Sequence, residues 1–388
     1  MIARVWRREP FRIFFPLGIG LAWLGIGHWV AYWAGWIGTY SCAAHGLVQT
    51  QGFLLAFALG FLLTAIPRRT ASEPASAIAV VGAAFALVFG SGAAFFERWW
   101  ISEGCTIAVL AGVVAFARRR FVAGAGGRRP PAAFVVVPLG LICAAGGGGL
   151  IAWGSTHGAS PTAIVLGRLL VTQGCFFCLV IGAGALVLPL MSGSPPPPDL
   201  GTGPAVTRAA VAYVGAGLAI VATLFAEAFG SERLAPLVRG AGLSQPLALP
   251  GTNRRVTRLA AWLVPVGPIV AGLLPDYRVP GLHVTFIGGF SLLAISVATH
   301  VTASHCEGLA PIRDGRAPIV RIVAGGVLVS ALGRVTADTT ATYFEHLATA
   351  AGVWIVATAL WSARLLPAWL AVADSQRDAR GPGVDRSE

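Results

Sequence analysis

Apolar stretches of about bilayer length follow one another along almost all of this chain. Such a stretch leaves its backbone little choice. In lipid there is no water to satisfy N–H and C=O groups, so each segment must bond internally as a helix. About 20 mainly apolar residues are enough to cross. Stretches of this kind fall at 13–36, 45–66, 75–96, 102–117, 132–153, 163–189, 206–228, 259–274, 281–303, 318–335 and 343–366. Only 11% of residues are charged and 56% are hydrophobic, where a soluble domain carries roughly a quarter charged. The chain reads as an all-α polytopic membrane protein without a soluble domain, its partner the lipid bilayer.

The formal net charge is +12, from 28 basic and 16 acidic residues. Every basic residue is Arg, and most lie in short loops between apolar stretches. That is the positive-inside pattern, so no nucleic-acid partner is expected. A cytoplasmic N-terminus, marked by Arg4, Arg7, Arg8 and Arg12, puts the loops holding Arg68, Arg69 and Arg118, Arg119, Arg120, Arg128 and Arg129 on the same side. The segment Gly230–Pro250 is too polar to assign by hydropathy alone. If it crosses, Arg254, Arg255, Arg258, Arg313, Arg316, Arg377, Arg380 and Arg386 also fall inside. Only Arg98, Arg233, Arg278 and Arg334 then lie outside, with Arg168 and Arg239 within spans. The expectation is about twelve helices and two cytoplasmic termini. The opening MIARVWRREPFR lacks a signal-peptide cleavage pattern, so the first helix is expected to be retained. Six scattered Cys imply no disulfide framework.

One stretch recurs. His45 to Pro67 reads HGLVQTQGFLLAFALGFLLTAIP, and 167–189 reads GRLLVTQGCFFCLVIGAGALVLP. Thr50-Gln51-Gly52 matches Thr172-Gln173-Gly174, Gly60 matches Gly182, and Pro67 matches Pro189, all at an offset of 122 (172 − 50). A weaker third copy begins at Leu282, where Gly289-Phe290 falls on Gly52-Phe53 at an offset of 237 (289 − 52). His283 then sits one residue past the equivalent of His45. A repeat of about 120 residues divides twelve helices into three pseudo-repeats of four, at roughly 13–117, 132–250 and 256–366. They form one transmembrane domain, 1–374. The stretch Gly193–Pro204, with four consecutive prolines, reads as a stiff cytoplasmic linker, and 375–388 as a disordered cytoplasmic tail.

Seven His are present: His28, His45, His157, His283, His300, His305 and His346. His45 and His283 begin equivalent helices at the outer face, where a neutral ring nitrogen can ligate haem iron or another metal. The bland alternative is an interfacial His that meets headgroups and water. His28 faces either lipid or a neighbour, and His346 suits a structural hydrogen bond. His300 is 17 residues from His283, or about 25 Å at ~1.5 Å per residue, so one cofactor cannot use both. His300, His305 and Cys306 together suggest a second, inner metal position. Cys175-Phe-Phe-Cys178 has redox spacing, but thiols held in lipid are inert, and small packing residues are the simpler reading. Membrane-embedded charges mark sites by default. Arg334 and Arg168 are candidates for pairing with haem propionates. Arg334–Asp338 and Arg168–Glu227 ion pairs are the structural alternatives. Gln51 and Gln173 should face the bundle, because an unpartnered amide in lipid costs several kcal/mol, of order 2–7.

Several blocks resemble the NnrS family. They are Pro10-Phe11-Arg12-Ile13-Phe14-Phe15-Pro16-Leu17; His45-Gly46 with Gln51-Gly52-Phe53; Gly60 to Arg68; and Leu282-His283, Gly288-Gly289-Phe290, Ala298-Thr299-His300-Val301-Thr302 and His305. The resemblance implies a twelve-helix protein of the bacterial inner membrane that binds haem and copper and protects against nitric oxide and related nitrosative stress. On it, His45 and His283 are expected haem or metal ligands and His305 a further metal ligand. Many members carry paired His in a WHAHE-like element before the second helix. Here Tyr40 to His45 keeps one. The three-by-four repeat is also similar in plan to the haem–copper oxidase core subunit. The His-x-His hallmark of that subunit is absent, so oxygen reduction is not expected. Both turnover and simple binding of nitric oxide stay open. The rival from another class is a haem-free transporter of an ion or small anion.

Overall fold

The computed structural model describes residues 2–123, 129–158, 160–192, 199–200, 203–229, 251–306, 308–313 and 316–371. The expectations for Gly230–Pro250, for the prolines at 195–198 and for the tail 375–388 lie outside these residues. Among the described residues the chain is helical and no strand forms. Eleven helices are long and apolar enough to cross a membrane. They are α1 (Phe11–Trp33), α2 (Cys42–Thr70), α3 (Ala77–Phe95), α4 (Trp99–Phe121), α5 (Ala132–His157), α6 (Pro161–Pro189), α7 (Pro204–Ala228), α8 (Thr252–Leu273), α9 (Pro275–His305), α10 (Pro318–Ala337) and α11 (Tyr343–Leu370). Each overlaps one of the eleven stretches read from the sequence, with ends that differ by up to seven residues.

Three helices form the centre. In α2, α6 and α9 the most apolar stretch is 78%, 72% and 67% buried, against 17–44% in the other eight. These are the helices with the recurring Thr-Gln-Gly or Gly-Gly-Phe. Each also widens into a π-helical stretch near its first turns: Val48–Leu54, Leu170–Gly174 and Val284–Ser291. A π-turn holds an extra residue and redirects the side chains that follow it.

The matched glycines do the same job twice. A Cβ on Gly60 would come 2.8 Å from Phe15 of α1, and one on Gly182 would come 2.5 Å from Val137 of α5. α2 and α6 thus rest equally closely on the helix preceding each of them. Below the π-helical stretches the central helices line an open apolar pocket of about 130 Å³. Leu54, Phe57, Ala58 and Phe61 line it from α2, and Phe176, Leu179, Val180 and Ala183 from α6 at an offset of 122. From α9 come Phe290, Leu293, Ala294 and Val297, at an offset of 236 (290 − 54). This offset is one residue short of the 237 read from the glycines, and on it His283 would stand two positions past the equivalent of His45. The extra residue of the π-turns blurs a count made from glycines alone.

Two devices close the periphery. The buried Arg12 bonds Glu9 at 2.6 Å, the Ala368 carbonyl and the Ala371 carbonyl, the last at 2.9 Å. It thereby satisfies carbonyls at the end of α11, which have no partner within their own helix. Along α11 the indole N–H groups of Trp354, Trp361 and Trp369 donate to Ser291 (3.2 Å), Thr299 (2.8 Å) and Thr302 (3.1 Å) of α9. Trp23 of α1 donates to Thr358 of α11 at 2.8 Å. A buried indole N–H needs such a partner.

Candidate functional site

The sequence candidates gather at one end of the bundle. Ser41 caps the start of α2, its hydroxyl accepting from the Ala44 N–H at 3.2 Å, and so fixes His45 in the first turn. The half-buried His45 turns back to α1. Its Nδ1 lies 2.9 Å from the carbonyl of Gly25. The same carbonyl takes Nδ1 of the buried His28 at 2.8 Å. The two imidazole rings are 5.8 Å apart. His283, also half-buried, sets its Nδ1 2.8 Å from the Val279 carbonyl one turn earlier. A carbonyl only accepts, so each Nδ1 carries the proton and each Nε2 keeps its lone pair free. The indole N–H of Trp29, 3.4 Å from His45 Nδ1, is the longer and weaker contact. A histidine held by Nδ1–H on a backbone carbonyl and offering Nε2 is the form that ligates a metal. His28 Nε2 is buried with no hydrogen-bond partner.

Arg334, on α10, is buried and close enough to act electrostatically on both His45 and His283. Its Nη1 is 2.5 Å from Asp338 Oδ2, so the i,i+4 pair foreseen as a structural role is formed. The Tyr343 ring lies 5.8 Å from the guanidinium. Aromatic rings wall this end: Trp29 stands 4.4 Å from His28, Tyr40 5.1 Å from Trp29, Phe344 5.3 Å from Tyr40 and Phe286 6.3 Å from His283.

Other candidates stand apart. Arg168 is exposed on α6, and the expected pair with Glu227 is not made, because Arg278 engages Glu227. The gap between the two arises because only one face of α6 near Arg168 turns inward. His157 is exposed against Trp153, and His346 lies among Thr340, Thr342 and its own helix's first carbonyl. His305 is at the opposite end of α9, its Nδ1 2.7 Å from the Val301 carbonyl and its ring 5.5 Å from Phe11. Cys175 and Cys178 are buried, and a Cβ on Gly140 would press on both. Among the described residues no three His, Cys, Asp or Glu side chains stand close enough together to hold a metal ion.

Gln51 and Gln173 are both buried, as their placement in the central helices requires. Gln51 reveals a residue that sequence reading passed over. Its amide donates to Glu103 of α4 at 2.7 Å, and Glu103 is fully buried. The signal was available, since Glu103 lies inside an apolar span. His28 was left open between lipid and a neighbour; its partner, a backbone carbonyl, has no sequence signature.

A bundle of this kind, with imidazoles and a buried guanidinium gathered at one end, defines a multi-pass helical membrane protein. The chain belongs to the NnrS family: the family model described as NnrS protein matches residues 5–372, nearly its whole length. No curated protein matches it.

Proposed function

We propose that this protein binds haem, with copper as a second metal, in the bacterial inner membrane and contributes to tolerance of nitric oxide and related nitrosative stress. The observation that carries this reading is the shared tautomer of His45 and His283, each held at Nδ1 by a carbonyl with Nε2 free, beside the buried Arg334. Haem brings four nitrogen ligands of its own, so one or two such imidazoles complete its iron. That suits a site where no larger cluster of protein ligands is gathered among the described residues. His45 and His283 would hold the haem iron through Nε2, and Arg334, shared with Asp338, would neutralise a propionate. Haem iron supplies the binding of nitric oxide. His28, with its unpartnered Nε2 beside His45, is the better candidate than the distant His305 for a copper ligand near the haem.

The open apolar pocket between the central helices adds support, because nitric oxide is small and nearly apolar and partitions into apolar surroundings. We also keep twelve helices in three units of four, with cytoplasmic termini. The common burial, π-turns and pocket positions of α2, α6 and α9 favour the units, and the Arg-rich loops favour the orientation.

The test is metal content and protection together. The purified protein should contain iron and copper by elemental analysis, and a strain lacking other defences should survive a nitric oxide donor only when it carries the protein. Iron-free, colourless protein from haem-replete cells would abandon this reading for the transporter.

A further inference from the structure

Glu103 sits about one turn inside α4, at the end of the bundle that carries His45 and His283. It is fully buried. Its Oε2 accepts the Gln51 amide at 2.7 Å, and the Gln51 Oε1 accepts the Thr106 hydroxyl at 3.0 Å. Its other oxygen, Oε1, has no hydrogen-bond partner. α5 comes so close that a Cβ on Gly148 would lie 2.6 Å from Oε2, so a glycine is needed to admit the carboxyl. The neighbouring side chains bear no charge. Gln51 faces it from α2 and Gly148 from α5, while Ser102 and Thr106 flank it on its own helix. Cys105, the nearest other titratable group in sequence, turns away to Gly90 of α3. Among the described residues Glu103 forms no ion pair with Arg or His.

Beside Gln51 and Thr106 is a cavity of about 10 Å³, lined by these two with Ser91 and Ser102 and otherwise by apolar residues of α2 and α3, and not by Glu103 itself. That is room for one water molecule with several polar partners. Burying a lone carboxylate in a bundle costs more than burying a neutral acid, so the group carries a proton unless something pays its charge. One acceptor oxygen held by an amide, one left open, and a water-sized cavity beside that amide describe a group that gains and loses a proton in place.

We propose that Glu103 is a proton-binding site of the membrane domain, its proton exchanging with water that reaches the Gln51–Thr106 network from the adjoining cavity. Uptake converts the carboxylate to the neutral acid, and release returns the proton to water. No other bond is made or broken, and the site is independent of haem.

Infrared difference spectra of the full-length protein in lipid vesicles, stepped in pH, test this. A carboxylic acid C=O band should appear as the pH falls. It should be missing in Glu103→Gln and kept in Glu345→Gln, whose carboxyl is exposed. Gln51→Leu should move its midpoint up by about one to two pH units, because the carboxylate loses one hydrogen bond of ~1.5–3 kcal/mol. Should Glu103→Gln fail to fold, Glu103→Asp replaces it, and the band should move in frequency. A spectrum of Glu103→Gln identical to wild type overturns the proposal, as does an unmoved band in Glu103→Asp. So does a midpoint that follows sodium concentration, which would make this a metal-cation site. None of these outcomes depends on whether haem binds.

Discussion

A single carbonyl, that of Gly25, orients two imidazoles, and this small fact governs what each residue at the site should do when changed. His45→Ala and His283→Ala each remove a free Nε2, so each should shift or abolish the Soret band of the purified protein. His346→Ala and His157→Ala should leave it as it is, since those rings bond to a local threonine or stack on Trp153. Arg334→Ala removes charge and no ligand. It should leave the Soret position unchanged while haem transfer to apomyoglobin becomes about tenfold faster or more, the equivalent of one charge-assisted hydrogen bond of ~1.5–3 kcal/mol. A Soret shift in Arg334→Ala would show that the arginine positions the iron ligands instead. At this scale the sequence was legible in part. His45 and His283 stood out because they begin matching helices at one face, and Arg334 because it is a charge embedded in an apolar span. His28 did not, because its role comes from a backbone atom. Arg168 misled for a related reason: a charge inside an apolar segment signals cost, but not which face of the helix bears it.

Among the elements, α2, α6 and α9 determine the rest. Their burial follows from small residues and matched glycines that let neighbours close in. Gly182→Leu would drive a side chain into Val137, where a Cβ alone would already lie 2.5 Å away. Overpacking of this kind costs about 1–3 kcal/mol, so thermal unfolding in detergent should begin several degrees lower than in wild type. The α9–α11 seam makes a different demand. Thr299→Val keeps the shape but leaves the Trp361 indole N–H without an acceptor, at a cost of about 1–3 kcal/mol, whereas Thr299→Ser should restore most of it. Equal melting of the two variants would show that packing, and not the hydrogen bond, holds this seam. The existence of all eleven helices could be read from the sequence, because bilayer length and apolar composition leave no competing structure; their ends could not, as where α8 starts at Thr252 and not at 259. The π-turns could not, because π-turns have no composition of their own.

The molecule as a whole is a core of three helices inside a ring of others, with histidines and a buried arginine at one end and an open apolar pocket below. The proposed orientation rests on the Arg-rich loops. A reporter fused after Asn253 should read as cytoplasmic, and a periplasmic reading would break both the twelve-helix count and the common face of the units. The central claim is that the end carrying His45 and His283 holds haem. The absorption spectrum of the detergent-purified protein, from cells supplied with haem, tests it most directly. The account predicts a Soret band in wild type that is altered in His45→Ala and in His283→Ala. A colourless protein, or a band unchanged in both variants, would contradict it.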